Sequence, residues 1–365
     1  MLFRSADQKF PSVLDFGFQN KALGYVRAQG QSYKLVELFN SDDAFTTATS
    51  SAYGQPTFLG NHDMGRVGRA LYSATFGEDD LTLARARLAN EVLFFSRGAP
   101  VLYYGDEKGL VGSGGDSASR QDLFPTQVEE WQSEYRIGSA PIGTKSSFDF
   151  TNPLEIQIEE ISRLIKANPA LRSGTQQLRA ISEGAVAMSR FADGQEYVVI
   201  FNSDEKAVAI DIPVTTNSPW SQIYGPQVAL SVTGKKISLK IPAVSTLVLK
   251  ADSKFLSSAP LSVSLQKIGI DYATPYWLGL RATVPGDEFV QVNFQMRVKG
   301  AKSWSNLGTA DRRTFQSDDI DGGLYRAFIQ PRKFKSGTSI EVIAIARNES
   351  GKLAYSKIQS FTIKY

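Results

Sequence analysis

The sequence predicts a mixed chain, an α/β part followed by two all-β parts, and three observations carry that expectation. Up to about residue 170, short apolar runs alternate with segments of helical period. From 171 to about 252, strand-length runs follow one another at short intervals, and from 253 to 365 a second series begins. The length of 365 residues agrees, since roughly 150 residues per domain gives two or three domains.

In the first part, 1–170, VLDF over Val13–Phe16 reads as a strand and Gln19–Ala28 as the helix after it. PTFLG, Pro56–Gly60, is the next strand. Asp80–Ser96 is the next helix, where Leu81, Ala84, Leu88, Val92 and Phe95 recur at three- and four-residue steps along one face. Asp79 or Asp80 is placed to cap it. PVLYYG, Pro100–Gly105, is a short apolar aromatic run closed by glycine and reads as a buried strand. The last helix covers about Pro153–Ala167, with Asn152 as its cap, Pro153 at the first helical position and Asn168-Pro169 as its stop. Strands alternating with helices imply a parallel sheet with right-handed crossovers. Three such strands alone leave both sheet edges open, so the segment reads as part of something larger.

The second part, 171–252, holds AVAMSRF, EYVVIFN, AVAIDIPV, KKISLKIP and STLVLK, separated by turn signals at Asp193-Gly194, Asn202-Ser203 and Thr233-Gly234. This is the pattern of an antiparallel β-sandwich. ADSKFLSSAP reads as a linker. In the third part, 253–365, YWLGLRATV, FVQVNFQMRV, LYRAFIQ, TSIEVIAIARN and AYSKIQSFTIKY suggest an immunoglobulin-like sandwich, on alternation alone and without a cysteine pair.

Composition narrows the chemistry. An apolar fraction of 42% supports real cores, and a net charge of +3 argues against nucleic acid or an anionic membrane surface as partner. Cysteine is absent, which removes disulfides, thiolate zinc sites and cysteine nucleophiles. The one histidine, His62, excludes metal motifs built on two. No stretch approaches the roughly 18 apolar residues of a membrane helix, and MLFRSADQKFPSV does not read as an export signal.

The most informative segment is TFLGNHDMGR, Thr57–Arg66. A buried strand ends in Gly60, and Asn61, His62 and Asp63 project from its C-terminal end, where a parallel α/β barrel places its ligands. A simple loop cap would use the same residue types. Downstream stand GAPVLYYGDE (Gly98–Glu107), GGDSASRQDLF (Gly114–Phe124) and LIKANPALRSG (Leu164–Gly174).

This ordered set resembles the C-terminal part of the catalytic barrel of the α-amylase family, glycoside hydrolase family 13. FPSVLDFGFQNKA (Phe10–Ala22) looks like the sixth barrel strand, TFLGNHDMGR the seventh and PVLYYGDE the eighth. The fold implied is a partial (β/α)8 TIM barrel, the last three strand–helix units. A Greek-key β-sandwich of the kind that follows the family's barrel comes next. The resemblance covers about 1–250, and the last 110 residues lie outside it.

The resemblance implies a retaining mechanism on α-glucans, in which one carboxylate attacks the anomeric carbon and a carboxylic acid protonates the leaving oxygen. A third carboxylate steadies the cationic ring, and that position falls on Asp63. His62 would donate a hydrogen bond to a hydroxyl of the same sugar, with Asn61 and Arg66 beside it. The motifs that carry the nucleophile and an earlier family signature each need a histidine, and the only one is His62. The first glutamate is Glu37, after the sixth strand, so the general acid is missing as well. The chain is therefore expected to be a C-terminal fragment, inactive alone, whose partner is the missing N-terminal barrel half. The alternative is a non-catalytic carbohydrate-binding or interaction module.

Other carboxylates are weighed in the same way. Arg120-Gln121-Asp122 imitates the nucleophile's motif after the wrong strand, and Asp122 reads as a loop residue or a local partner of Arg120. Asp15 could touch substrate but reads rather as a helix cap or a pair inside the barrel mouth, Asp106 and Glu107 as lining a subsite or as loop-fixing groups, and Arg66 as a site for an anionic group or, more readily, a salt bridge near Asp63. SDDIDG, Ser317–Gly322, places Phe328 where a calcium loop needs glutamate, so it reads as a turn. Gly112–Gly115 lacks the ending of a phosphate loop. Trp131, Tyr135, Trp277 and Trp304 are aromatic candidates for sugar stacking or for cores. No cofactor is identified, and the calcium common in the family would take its ligands mostly from the missing half. A parent acting on polymeric starch is expected to be secreted or periplasmic.

Overall fold

The computed structural model describes residues 12–46, 51–255, 260–266, 268, 278–286, 288–314 and 325–364. In the first part, Asp15 caps helix α1 (Phe16–Val26) by accepting from the Phe18 backbone N–H at 2.8 Å. The strand expected over Val13–Phe16 is thus cut short by an earlier helix start. Residues 13–15 still lie alongside β1 (Pro56–Thr57), with the Asp15 N–H donating to the Pro56 carbonyl at 3.0 Å. Helices α2 (Ser32–Asn40), α3 (Val67–Thr75) and α4 (Asp79–Phe95) follow, and β2 (Ala99–Pro100) pairs in parallel with β1. Helix α4 starts one residue earlier than expected, so Glu78 precedes it and Asp79 and Asp80 lie in its first turn. There they favour the positive end of the helix dipole instead of capping it.

The expected buried strand Pro100–Gly105 is corrected. Only Ala99–Pro100 is strand, and both are exposed, as is Val101. An apolar run gains burial only from a neighbour, and no further strand lies beside β2 among the described residues. Helix α5 (Pro153–Ala167) matches its sequence signals, since Asn152 and Glu155 form a capping box. The proline that stops it begins a short helix, α6 (Pro169–Ser173).

Two antiparallel sheets come next. One runs β3-β4-β5-β10-β7, made of β3 (Thr175–Ser182), β4 (Ala185–Ala192), β5 (Gln195–Asn202), β10 (Ser245–Ala251) and β7 (Trp220–Tyr224). The other runs β6-β9-β8, made of β6 (Val208–Pro213), β9 (Lys236–Ile241) and β8 (Leu230–Val232). Val198, Ile200, Leu247 and Leu249 of the first meet Ile210, Ile212, Ile237 and Leu239 of the second in one core. The opposite face of the five-stranded sheet, with Val186, Met188, Val199 and Phe201, packs on Phe18, Leu35, Leu88 and Val92 of the helices. Burial on both faces explains why β4 and β5 read as nearly continuous apolar runs, while β6, with one face in solvent, alternates strictly. Strands β3 and β7, too polar to stand out in sequence, complete the sheet.

The third part pairs a sheet ordered β11-β12-β15 with one ordered β14-β13-β16-β17, on which β18 also pairs with β16. The members are β11 (Ser264–Leu265), β12 (Leu278–Thr283), β13 (Val290–Val298), β14 (Ser305–Ala310), β15 (Tyr325–Ile329), β16 (Ser339–Asn348), β17 (Leu353–Tyr355) and β18 (Gln359–Thr362). Leu280, Ala327, Val292, Phe294, Val342 and Ala344 form its core. The expected turn at 317–322, Trp277 and part of the linker fall outside the described residues.

Buried polar contacts fasten this part to the first. Asp43 makes a bidentate pair with Arg326 at 2.9 Å for each bond, and Tyr53 donates to Asp311 at 2.5 Å. Asn40 exchanges two hydrogen bonds with the backbone of Thr314. Nearby, Arg97 lies between Asp15 and Asp42, with all three side chains almost fully buried.

Candidate functional site

Asn61 closes the loop that follows β1. Its backbone exchanges hydrogen bonds with Gly65, and its side-chain Oδ1 accepts from the N–H groups of Asp63 and Met64 at 2.9 and 2.8 Å. That use is the loop-cap chemistry of a short polar side chain. The backbones come so close that a Cβ on Gly60 would lie 2.7 Å from the Gly65 carbonyl oxygen and 2.8 Å from the Val67 nitrogen. The tight loop turns His62 and Asp63 outward, with side chains 51% and 71% exposed. His62 Nε2 lies 3.2 Å from Asp63 Oδ1.

The segment after β2 forms the other wall. The Tyr103 ring lies 6.5 Å from the His62 ring, and its hydroxyl donates to the Ser119 carbonyl at 3.0 Å. Ser119 in turn donates to the carbonyl of His62 at 3.1 Å. Arg120 binds Asp116 at 2.8 Å and approaches Asp63 Oδ1 to 3.8 Å. Tyr104, 42% exposed, packs edge-on against Tyr103. The exposed carboxylate and imidazole thus stand at the C-terminal ends of two adjacent parallel strands, within an aromatic and cationic surround.

Arg66 differs from its expected placement. Its side chain is buried and pairs with Asp106 at 2.9 Å, not with Asp63. It also donates to the Gln121 side chain and the Tyr104 carbonyl, and its guanidinium lies over the Tyr103 ring at 4.6 Å. It therefore has no surface for a substrate hydroxyl and instead holds the Tyr103–Tyr104 segment in place. Burial pushes the Asp106 carboxyl above its usual range, with Arg66 opposing the shift. Glu107 accepts from the Gly105 N–H at 2.8 Å, a loop-fixing role. Asp122 takes a hydrogen bond from Thr126 at 3.3 Å and is not among the partners of Arg120 given by the geometry. Tyr135 packs on Tyr72 at the edge of the core, and Trp304 carries Arg297 over its ring at 4.5 Å.

The sequence singled out the loop bearing His62 and Asp63 but not Ser119, Arg120 and Tyr103 as its neighbours. The signal was present in the YYGDE and RQD segments, yet the contacts join residues about forty to nearly sixty positions apart, across α3 and α4. Among the described residues no three His, Asp or Glu side chains are grouped to hold a metal ion.

The profile of the α-amylase catalytic domain matches residues 2–168. An α-amylase of Streptomyces lividans is 33% identical over 359 residues, 96% of this chain and 38% of that protein. A cyclomaltodextrin glucanotransferase of Bacillus sp. (strain 1-1) is 24% identical over 352 residues, 94% of this chain and 44% of its own length. Both matches run into the third part, which the sequence motifs alone did not reach. The crystal structure of an Anoxybacillus α-amylase shares the fold, with a TM-score of 0.52, 18% identity, and coverage of 68% of this chain and 48% of that one. The chain spans about two fifths of the length of these curated relatives. Its residues 2–168 belong to the α-amylase catalytic-domain family.

Proposed function

We propose that these 365 residues are the C-terminal part of an α-amylase-like glycoside hydrolase acting on α-glucans with retention of configuration. In this reading residues 1–170 hold the last three strand–helix units of a (β/α)8 barrel, 171–252 the Greek-key domain behind it and 253–365 an immunoglobulin-like domain. Asp63 is the third carboxylate. It binds sugar hydroxyls at the cleavage point and stabilises the positive charge that grows on the ring. His62 donates to a hydroxyl of the same sugar, Asn61 shapes the loop, and Arg66 positions the aromatic wall. The nucleophile and the general acid belong to polypeptide outside these residues, so the chain alone does not hydrolyse. The parent acts where polymeric starch is met, outside the cell.

The observation that carries the reading is the exposed His62–Asp63 pair at the C-terminal end of a parallel strand, beside Tyr103 and Tyr104. His62 is the only histidine, so its imidazole gives one unambiguous resonance. Titrating acarbose into the chain is expected to move that resonance, and Asp63→Asn to weaken the response at least tenfold. An unmoved imidazole at millimolar acarbose, or hydrolysis of amylose by the chain alone that survives Asp63→Asn, would sink the proposal.

A further inference from the structure

Phe124 and Phe148 are 70% and 59% exposed, and their rings stand 5.5 Å apart at an interplanar angle of 58°. Phe150, two residues on from Phe148, is also exposed, with Lys145 over its ring. Large rings left in water need a reason, because burying each is worth about 2 kcal/mol. The two segments that carry these rings are tied together. The Ser147 N–H donates to the Leu123 carbonyl at 2.8 Å, and the Ser146 hydroxyl donates to the same carbonyl at 3.2 Å. Buried Arg136 fixes the Ser147 hydroxyl at 3.0 Å. The surface is therefore preorganised, which lowers the entropy lost when something binds to it.

The platform lies close along the chain to a residue of the site. Arg120, which faces Asp63, is four residues from Phe124, so the two Cα atoms are at most about 14 Å apart. That distance corresponds to a few sugar rings. A pyranose presents an apolar face of C–H groups and a rim of hydroxyls. A pair of exposed aromatic rings matches that face.

Resting on the α-glucan reading, we propose that Phe124 and Phe148 form a stacking platform that binds the same glucan chain beyond the His62–Asp63 position. The residues act as binding groups and not in bond cleavage.

Affinity electrophoresis of the full chain in native gels containing soluble amylose tests this. The wild-type chain is expected to be retarded, and the double variant Phe124→Ala/Phe148→Ala to lose about tenfold in apparent affinity at an unchanged melting temperature. Phe124→Trp/Phe148→Trp is expected to retain binding. If the alanine variant is retarded like wild type while Asp63→Asn is not, the platform is refuted and the α-glucan reading stands. If wild type is not retarded at all, both fail together. If the alanine substitutions leave retardation unchanged but abolish self-association in sedimentation, the rings are a protein contact and the platform is again refuted.

Discussion

Asn61 was expected among substrate-binding residues, and the structure gives it different work. Its Oδ1 takes two backbone N–H groups that no other partner in the loop satisfies. Asn61→Ala would leave both N–H groups to water and release the turn, costing about 1 kcal/mol in denaturant titrations. The larger effect should be functional, since the response of the His62 resonance to acarbose would vanish. Asn61→Asp keeps an acceptor in place and should restore it. An alanine variant with an undiminished response would show that the turn does not orient His62. Gly60 contributes by lacking a side chain, and it tolerates no replacement because the atoms it would strike belong to backbone. At this scale the sequence was most legible where a motif is short and local. The partners of Arg66 were not legible, because a buried guanidinium chooses among carboxylates by three-dimensional proximity, and Asp106 lies 40 residues away.

Helix α4 shows how an element couples the first part to the second. Its Glu91 carboxyl is buried against β7 and α5, accepting from the Tyr224 hydroxyl at 2.8 Å and from the Gln157 amide at 2.9 Å. Burial raises its pKa to about 7, although its hydrogen bonds from Thr246, Tyr224 and Gln157 and the charge of Arg87 oppose the shift. The folded value is above the unfolded one, so its contribution to stability is complete below the ordinary glutamate range and disappears as pH rises through about 7. A rise of this size corresponds to a loss on the order of 3 kcal/mol. Glu91→Gln retains an oxygen acceptor for Tyr224 and loses the titration. The difference in stability between pH 5 and pH 8 should therefore shrink in the variant, as read from chemical denaturation at both values. An unchanged pH dependence would mean that Glu91 is ionised in the fold. Helices α4 and α5 were well read from sequence, since both carry sustained apolar periodicity and α5 its caps, whereas α2 and α3 were not read at all. The strands β1 and β2 were over-read. An apolar run records a preference for burial, and whether it becomes a long buried strand depends on neighbours.

For the whole molecule, the third part is docked on the first by ionic and hydrogen-bonded contacts and not only by a linker. Asp43 is almost fully buried beneath Arg326, and Arg313 also approaches it. Removing one partner of such a pair leaves a charge in a poor environment, at a cost on the order of 3 kcal/mol. Arg326→Ala should therefore loosen this docking before either core unfolds. Calorimetry is expected to split into two transitions, and limited proteolysis to cut between the parts. A single transition at the wild-type temperature would show that the docking depends on other contacts.

The order of residues alone determined the α/β-then-β succession, the helices α4 and α5 through their apolar period and α5 also through its cap, the strands of strict or continuous apolar pattern, and the loop bearing His62 and Asp63. Each of these depends on interactions within a few residues or on a periodicity along the chain. Tertiary structure alone decided that Arg66 is buried against Asp106, that Arg120 and Tyr103 surround the exposed pair, that the five-stranded sheet is covered on both faces, and that Asp43 meets Arg326. Those outcomes depend on which charges and surfaces folding brings within a few ångströms, and charge attraction and burial are set by distance in space and not by separation along the chain.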